Sequence, residues 1–294
     1  MIRYFRIILF VVLAILMVIL IFNAKSIYRK IFPAEKTNSQ IILKPEFTVK
    51  TLEGWTLNNI NNYLTTIGSW GLEDLEKVTG QAKIDYRNRS DLVLPPDYVE
   101  QFSFLQDKPK YYGLEGFLFP DTYRVFTDAS AQDVIIKMLD NFDKKLTAEM
   151  RAEIARQGKT IYEIVIMASL IEKEAPIDYN DPDNRNAKIV SDIFWGRLKT
   201  NQALQSDATL SYLLNDSNPA HSGEDLKIDS PYNSYKYRGL PPTPICNPGI
   251  KAIEAAIYPI KTDYNYFLTS LDGKNIYYAK TYQEHLQNKY KYLK

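Results

Sequence analysis

Apolar and polar positions along this chain of 294 residues follow three regimes, and each regime predicts a different kind of element. In the first, Ile7 to Ala24 carry no charge and are almost wholly Ile, Leu, Val, Phe, Ala or Met. A run close to the ~20 residues that span a bilayer predicts one transmembrane helix within residues 1–24. The exit Ile21-Phe22-Asn23-Ala24-Lys25 lacks the small-x-small pair of a cleaved signal segment, so the helix is expected to remain as an anchor. Arg3 and Arg6 before the run and Lys25, Arg29 and Lys30 after it do not orient the helix by themselves. The commoner arrangement keeps a short N-terminal tail inside and places the rest outside the cytoplasmic membrane, as a single-pass protein. Residues 25–45, with Pro33 and the polar stretch Lys36-Thr37-Asn38-Ser39-Gln40, read as a linker.

In the second regime short alternating and helical patterns are separated by turn residues. Phe47-Thr48-Val49-Lys50 alternates as a strand, Glu53-Gly54 turns the chain, and Thr56 caps a helix with Leu57, Ile60 and Leu64 on one face. Pro95-Pro96 and Gln106-Asp107-Lys108-Pro109 place a boundary between about Leu94 and Lys110, giving a smaller unit, 46–105, and a larger one, 106–294. The larger unit includes a helix from about Ala131 to Asp143, with Val134, Ile135, Met138, Leu139 and Phe142 on one side. Without an internal repeat, βαβ periodicity or a Gly-rich phosphate loop, the expected fold class is α+β.

The third regime is a helix apolar on nearly every side. Thr160 and Glu163 form a capping box, and Ile164 to Ile171 follow with hardly a polar position, the mark of a buried helix. It nevertheless ends in Glu172-Lys173-Glu174. At about 100° per residue the two carboxylates point roughly 200° apart, so they do not share one cleft while the helix continues. The helix C-terminus and apolar surroundings both disfavour an ionised carboxylate and raise its pKa, as a general acid working near neutral pH requires. A solvated helix end would read the same from this segment alone.

Composition narrows the chemistry. Thirty-six basic against thirty-five acidic residues leave a net charge of +1, so no global field argues for a nucleic-acid partner. Cys246 is the single cysteine and His221 and His285 are the only histidines, so neither a disulfide framework nor a Cys/His metal centre is expected, and no cofactor is implied. Carboxylate chemistry is the economical choice. The 22 tyrosines suit stacking on sugar rings as well as core packing.

Three loops add polar candidates. Gln205-Ser206-Asp207 has side chains able to hydrogen-bond sugar hydroxyls or N-acetyl groups, or to cap a helix. Ser230-Pro231-Tyr232-Asn233-Ser234-Tyr235 is followed by Gly239-Leu240-Pro241-Pro242-Thr243-Pro244-Ile245 and Asn247-Pro248-Gly249, a Pro/Gly density that means rigid loops. Such loops hold a polymer, or serve structure alone. The candidate substrate-binding residues are therefore Glu174, Gln205, Ser206, Asp207, Tyr232, Asn233 and Tyr235, beside Glu172 as the candidate catalytic residue.

These segments in this order resemble the endolytic murein transglycosylase family, also called MltG or YceG-like, from about Phe47 to the C-terminus. The matching segments are Glu53-Gly54-Trp55, Glu115-Gly116-Phe117-Leu118-Phe119-Pro120-Asp121-Thr122-Tyr123, Ala168 to Glu174, Leu204 to Asp207, Ser230 to Tyr235, Gly239 to Pro242 with Pro244-Ile245, and Thr281-x-x-Glu284-His285. The opening Phe47-x-Val49, Gly54-x-Thr56-Leu57, Ile60 also resembles LysM modules, which bind N-acetylglucosamine-containing glycans, although any Thr-capped strand-turn-helix start looks alike. Ala208 stands where the family usually has Pro, and Gly196 and Ile276 depart from its Asn-Arg-Leu and His-x-Phe motifs.

The resemblance implies a membrane-anchored protein with a LysM-like subdomain at 46–105 and a mixed α/β catalytic domain at 106–294. It implies that Glu172 protonates the MurNAc-β-1,4-GlcNAc bond of nascent strands and then, as a carboxylate, deprotonates the C6 hydroxyl to close a 1,6-anhydro end. Such an enzyme, a lyase acting in cell-wall biogenesis, would terminate glycan polymerisation, with peptidoglycan glycan strands as substrate and peptidoglycan synthases as candidate partners. Two other readings stay open: a conventional glycoside hydrolase with Glu174 or Asp207 as second carboxylate, and a non-catalytic peptidoglycan-binding scaffold.

Overall fold

The computed structural model describes residues 2–31, 44–177, 181–216, 218, 221–270, 273 and 275–293. The chain forms two compact units, Met1–Lys44 and Pro45–Lys294. In the first, helix α1 spans Ile2–Ile31, and its stretch Tyr4–Ala24 is long and apolar enough to cross a membrane. Helical structure runs past residue 24, where a linker is expected to start. Nothing between Lys25 and Ile31 is Gly or Pro, so no residue in that stretch breaks the helix. The expected Lys36–Gln40 tether lies outside the described residues.

The second unit opens with strand β1 (Glu46–Lys50), helices α2 (Leu57–Ile67) and α3 (Leu72–Thr79), and strand β2 (Thr122–Phe126). Helices α4 (Ala131–Lys145), α5 (Ala148–Arg156), α6 (Ile161–Glu174), α7 (Arg185–Lys199), α8 (Asp207–Leu214) and α9 (Ile250–Ile257) follow. The hairpin β3 (Tyr266–Thr269) and β4 (Ile276–Ala279) and helix α10 (Tyr282–Tyr292) complete it. Mixed helices with small two-stranded sheets make this an α+β fold.

Local chemistry explains the starts of the helices. Thr56, Ser130 and Thr160 each accept from the backbone three residues on, and Asn59, Asp133 and Glu163 return the bond. The β1–α2 turn uses Gly54 at φ +75°, a conformation that L side chains avoid.

Pairing of β1 is non-local. It lies antiparallel to β2, with Glu46 opposite Phe126 and Lys50 opposite Thr122, so the sheet joins segments on both sides of the boundary expected near residue 105. Val49 of β1 and Leu57, Ile60 and Leu64 of α2 belong to the same buried cluster as Val134 and Met138 of α4 and Met167 and Leu170 of α6. The segment Glu115 to Phe119 runs through this core. Phe117 stacks 6.1 Å from Tyr162, and Phe104 stacks 4.8 Å from Phe142. Helix α6 is central, buried from Ile164 through Ile171 and packed on α5, α7, α8 and α9.

Candidate active site

Helix α6 leaves the core with its last turn, and that turn sets the site. Ser169 and Glu172 are three residues apart and so share a face. One loop runs along that face: the Ile245 N–H donates to Ser169 Oγ at 3.0 Å, the Cys246 thiol donates to the Ser169 carbonyl at 3.4 Å, and the Gly249 N–H donates to Glu172 Oε2 at 3.0 Å. Gly249 is also the N-cap residue of α9. The Glu172 carboxyl thus lies between the negative C-terminal end of α6 and the positive N-terminal end of α9.

Burial pushes the Glu172 carboxyl up to about 7; the Gly249 N–H opposes the rise, the Glu53 charge adds to it, and Lys173 opposes it. A group with that value carries its proton over much of the neutral range and ionises without large cost. Both states have a partner, because the α9 terminus stabilises the anion once the proton has gone.

The opposite wall comes from the β1–α2 turn, clamped by Asn247. The Gly54 N–H donates to the Asn247 carbonyl at 2.9 Å, and the Asn247 N–H and side-chain amide donate to the Trp55 carbonyl at 2.8 and 3.0 Å. The fully buried Asn247 side chain also accepts from the Leu118 N–H at 2.9 Å and donates to Glu115 Oε1 at 3.2 Å. Glu115 accepts from the Leu57 N–H at 2.9 Å, at the start of α2, and from the Tyr212 hydroxyl at 3.0 Å. Burial pushes its carboxyl up to about 8, against the bonds from Leu57 and Tyr212. Neither Glu115 nor Asn247 is among the site residues that the sequence suggests. Asn-Pro-Gly reads as a turn, and a lone glutamate before glycine gives no sign of burial.

Glu174 faces elsewhere, as the helical angle requires. Its Oε1 accepts from the Ser206 hydroxyl and, at 3.2 Å, from the Ala208 N–H, so it caps α8, whose N-cap residue Ser206 makes no side-chain capping bond. Burial raises its pKa, opposed by those two bonds. Ala208 is the position where the family resemblance leads one to expect proline; proline would have no N–H to give.

The expected substrate contacts divide into two groups. Gln205 is exposed, at the left-handed φ of +51°. Asp207 is partly exposed, and its Oδ1 accepts from the Tyr235 hydroxyl at 2.8 Å. Tyr235 is also partly exposed, whereas Ser206, Tyr232 and Asn233 are buried. Ser206 is buried on Glu174, and the Tyr232 hydroxyl is paired with Thr243 Oγ1 at 2.9 Å. Asn233, fully buried, donates to the Leu226 and Ile228 carbonyls at 3.0 and 2.9 Å and accepts from the Tyr235 N–H at 3.1 Å. These side chains lock the loops together, with Ser234 accepting from the Ser206 N–H at 3.0 Å. Among the described residues no group of three or more His, Cys, Asp or Glu is arranged to hold a metal ion.

The chain is similar to known proteins. The model of the YceG-like family matches residues 24–291. An endolytic murein transglycosylase of Bacillus subtilis is 35% identical over 198 residues, 67% of this chain and 52% of that one. Its namesake from Streptococcus pneumoniae is 31% identical over 251 residues, 82% of this chain and 44% of that one. The chain therefore spans about half the length of these relatives. The crystal structure of a yceG-like protein from Listeria monocytogenes superimposes with a TM-score of 0.67 at 31% identity, covering 82% of this chain and 75% of the other. With the match running through α6, the Asn247 loop and the C-terminal hairpin, the chain belongs to the YceG-like family.

Proposed function

We propose that this protein is a peptidoglycan lytic transglycosylase in which Glu172 is first the acid and then the base. The observation that carries the reading is the half-buried Glu172 carboxyl, poised at about 7 between two helix ends. Two relatives named endolytic murein transglycosylase support the choice of substrate, the MurNAc-β-1,4-GlcNAc bond.

In the reaction the protonated Glu172 gives its proton to the glycosidic oxygen while the bond from that oxygen to the MurNAc anomeric carbon breaks. The resulting carboxylate, held by the Gly249 N–H, removes the proton of the C6 hydroxyl, and O6 bonds to the anomeric carbon to close the 1,6-anhydro ring. The proton returns to Glu172 and no water is consumed. A hydrolase needs a second carboxylate that activates water or attacks the anomeric carbon. Glu174 and Asp207, the candidates for that role, are already engaged by Ser206 and Ala208 and by Tyr235. This favours the single-carboxylate route.

The strand-helix-helix-strand order of residues 46–126 supports a LysM-like glycan-holding role for that part, reaching to β2 and not ending at 105. The apolar stretch Tyr4–Ala24 supports an uncleaved single-pass anchor with the rest of the chain outside the cytoplasmic membrane, where nascent strands and their synthases are.

Mass spectrometry of products from purified, uncrosslinked glycan strands tests the reaction. Anhydro-ended fragments, lighter by one water than hydrolytic ones, are expected. Reducing ends alone would assign a hydrolase, and intact strands a binding scaffold.

A further inference from the structure

Resting on that reading of Glu172, we infer that Glu53, on the β1–α2 turn packed against the acid, is a positioning residue whose negative charge acts on Glu172. The turn lies directly against the Glu172 side chain: a Cβ built on Gly54 would sit in ordinary contact, 3.6 Å from Glu172 Cγ and 3.5 Å from Lys173 Nζ, and it is the backbone φ of +75° that favours glycine there. Its place is fixed by the backbone pair with Asn247, the loop that also presents the Gly249 N–H to Glu172. Glu53 precedes this contact and is exposed, with no task in the core.

The charged and titratable groups around Glu172 come from three elements. Lys173 belongs to its own helix and is exposed, Glu53 comes from the turn, and the buried Cys246 thiol comes from the loop before α9, with Glu115 deeper behind it. Burial aside, Glu53 is the neighbour whose charge raises the Glu172 pKa, while Lys173 and the Gly249 N–H lower it. The turn and the helix thus act in opposition. An anion at this wall also favours the positive charge that develops at the anomeric carbon as the bond breaks.

The test is the pH dependence of kcat, read as anhydro ends from glycan strands, for the full-length protein in detergent and its Glu53→Gln and Glu53→Lys variants. The wild type should lose activity as pH rises through about 7, when Glu172 gives up its proton. In Glu53→Gln this alkaline limb should move to lower pH by roughly 0.3–0.5 unit at low salt, the scale of an exposed unit charge acting over several ångströms. At pH 8 that is about a two- to threefold loss. Glu53→Lys should move it about twice as far. In about 1 M salt, where the screening length is about 3 Å, the three profiles should converge. A merely structural turn residue would give shifts that neither scale with charge nor vanish in salt, and either of those results, or an unmoved limb, overturns the inference. Loss of all product in both folded variants at every pH also overturns it, making Glu53 a reacting carboxylate. Absence of anhydro ends from the wild type would instead refute the reading of Glu172 itself.

Discussion

Removing the Glu174 carboxylate should unhinge the start of α8. Both of its bonds, from the Ser206 hydroxyl and the Ala208 N–H, go to the same oxygen, Oε1. In Glu174→Ala the helix loses its side-chain cap, worth about 0.5–2 kcal/mol. The Ser206 hydroxyl, in a residue only 2% exposed, is left without its acceptor, at a further cost of about 1–3 kcal/mol. Relief of a carboxylate whose pKa burial has raised offsets part of this, which leaves a net loss of about 2 kcal/mol. Glu174→Gln keeps an oxygen at the same place and so keeps both bonds, and should cost under about 1 kcal/mol. Urea unfolding of the full chain in detergent, followed by tryptophan fluorescence, reads the difference as a lower midpoint at unchanged slope. Equal stability of Glu174→Ala and the wild type would show that the cap carries no weight. Equal damage in both variants would show that charge matters, and not the acceptor oxygen.

Three further outcomes follow from the same contacts. Glu115, raised to about 8 from an ordinary 4.5, binds its proton more tightly in the native state, so stability falls as pH rises from about 4.5 to about 8; Glu115→Gln should flatten part of that fall, read as midpoints at pH 5 and pH 9. Gly116→Ala would put a Cβ 2.4 Å from the Pro244 ring at φ +89°, and should cost about 3 kcal/mol or more, seen as a collapsed midpoint or insoluble protein. Asn247→Ala strips partners from Leu118, Trp55 and Glu115 and should lose at least about 2 kcal/mol in the same unfolding assay.

Local signals were readable in the sequence wherever the chemistry that makes an element is local. The capping box at Thr160 and the angular separation of Glu172 from Glu174 need only neighbours along one helix, and both stand in the structure. The partner of β1 is different: an alternating tetrapeptide says that a strand exists, but not that it pairs with residues 122–126. The boundary expected near 105 rests on the same kind of local signal, since Pro95-Pro96 and a polar stretch mark a loop whether or not a sheet closes around it. Ser206, Tyr232 and Asn233 show a second limit. Amides and hydroxyls in a rigid loop look alike whether they face a sugar or bind the loop to itself, and only burial separates the two. Asn247 and Glu115 are not legible in the sequence because their role is defined by four separate segments meeting at one point.

The central claim is that one carboxyl, Glu172, serves as both acid and base, and Glu172→Gln tests it most directly. Glutamine still accepts the Gly249 N–H through its oxygen, so the loop and helix should stay in place, but it has no proton to give. Anhydro-end formation by equal amounts of folded wild type and variant should differ by about 10,000-fold or more, the upper end of general acid catalysis, because two proton transfers are lost together. A correctly folded Glu172→Gln protein that still forms anhydro ends at a rate near the wild type's would contradict the account.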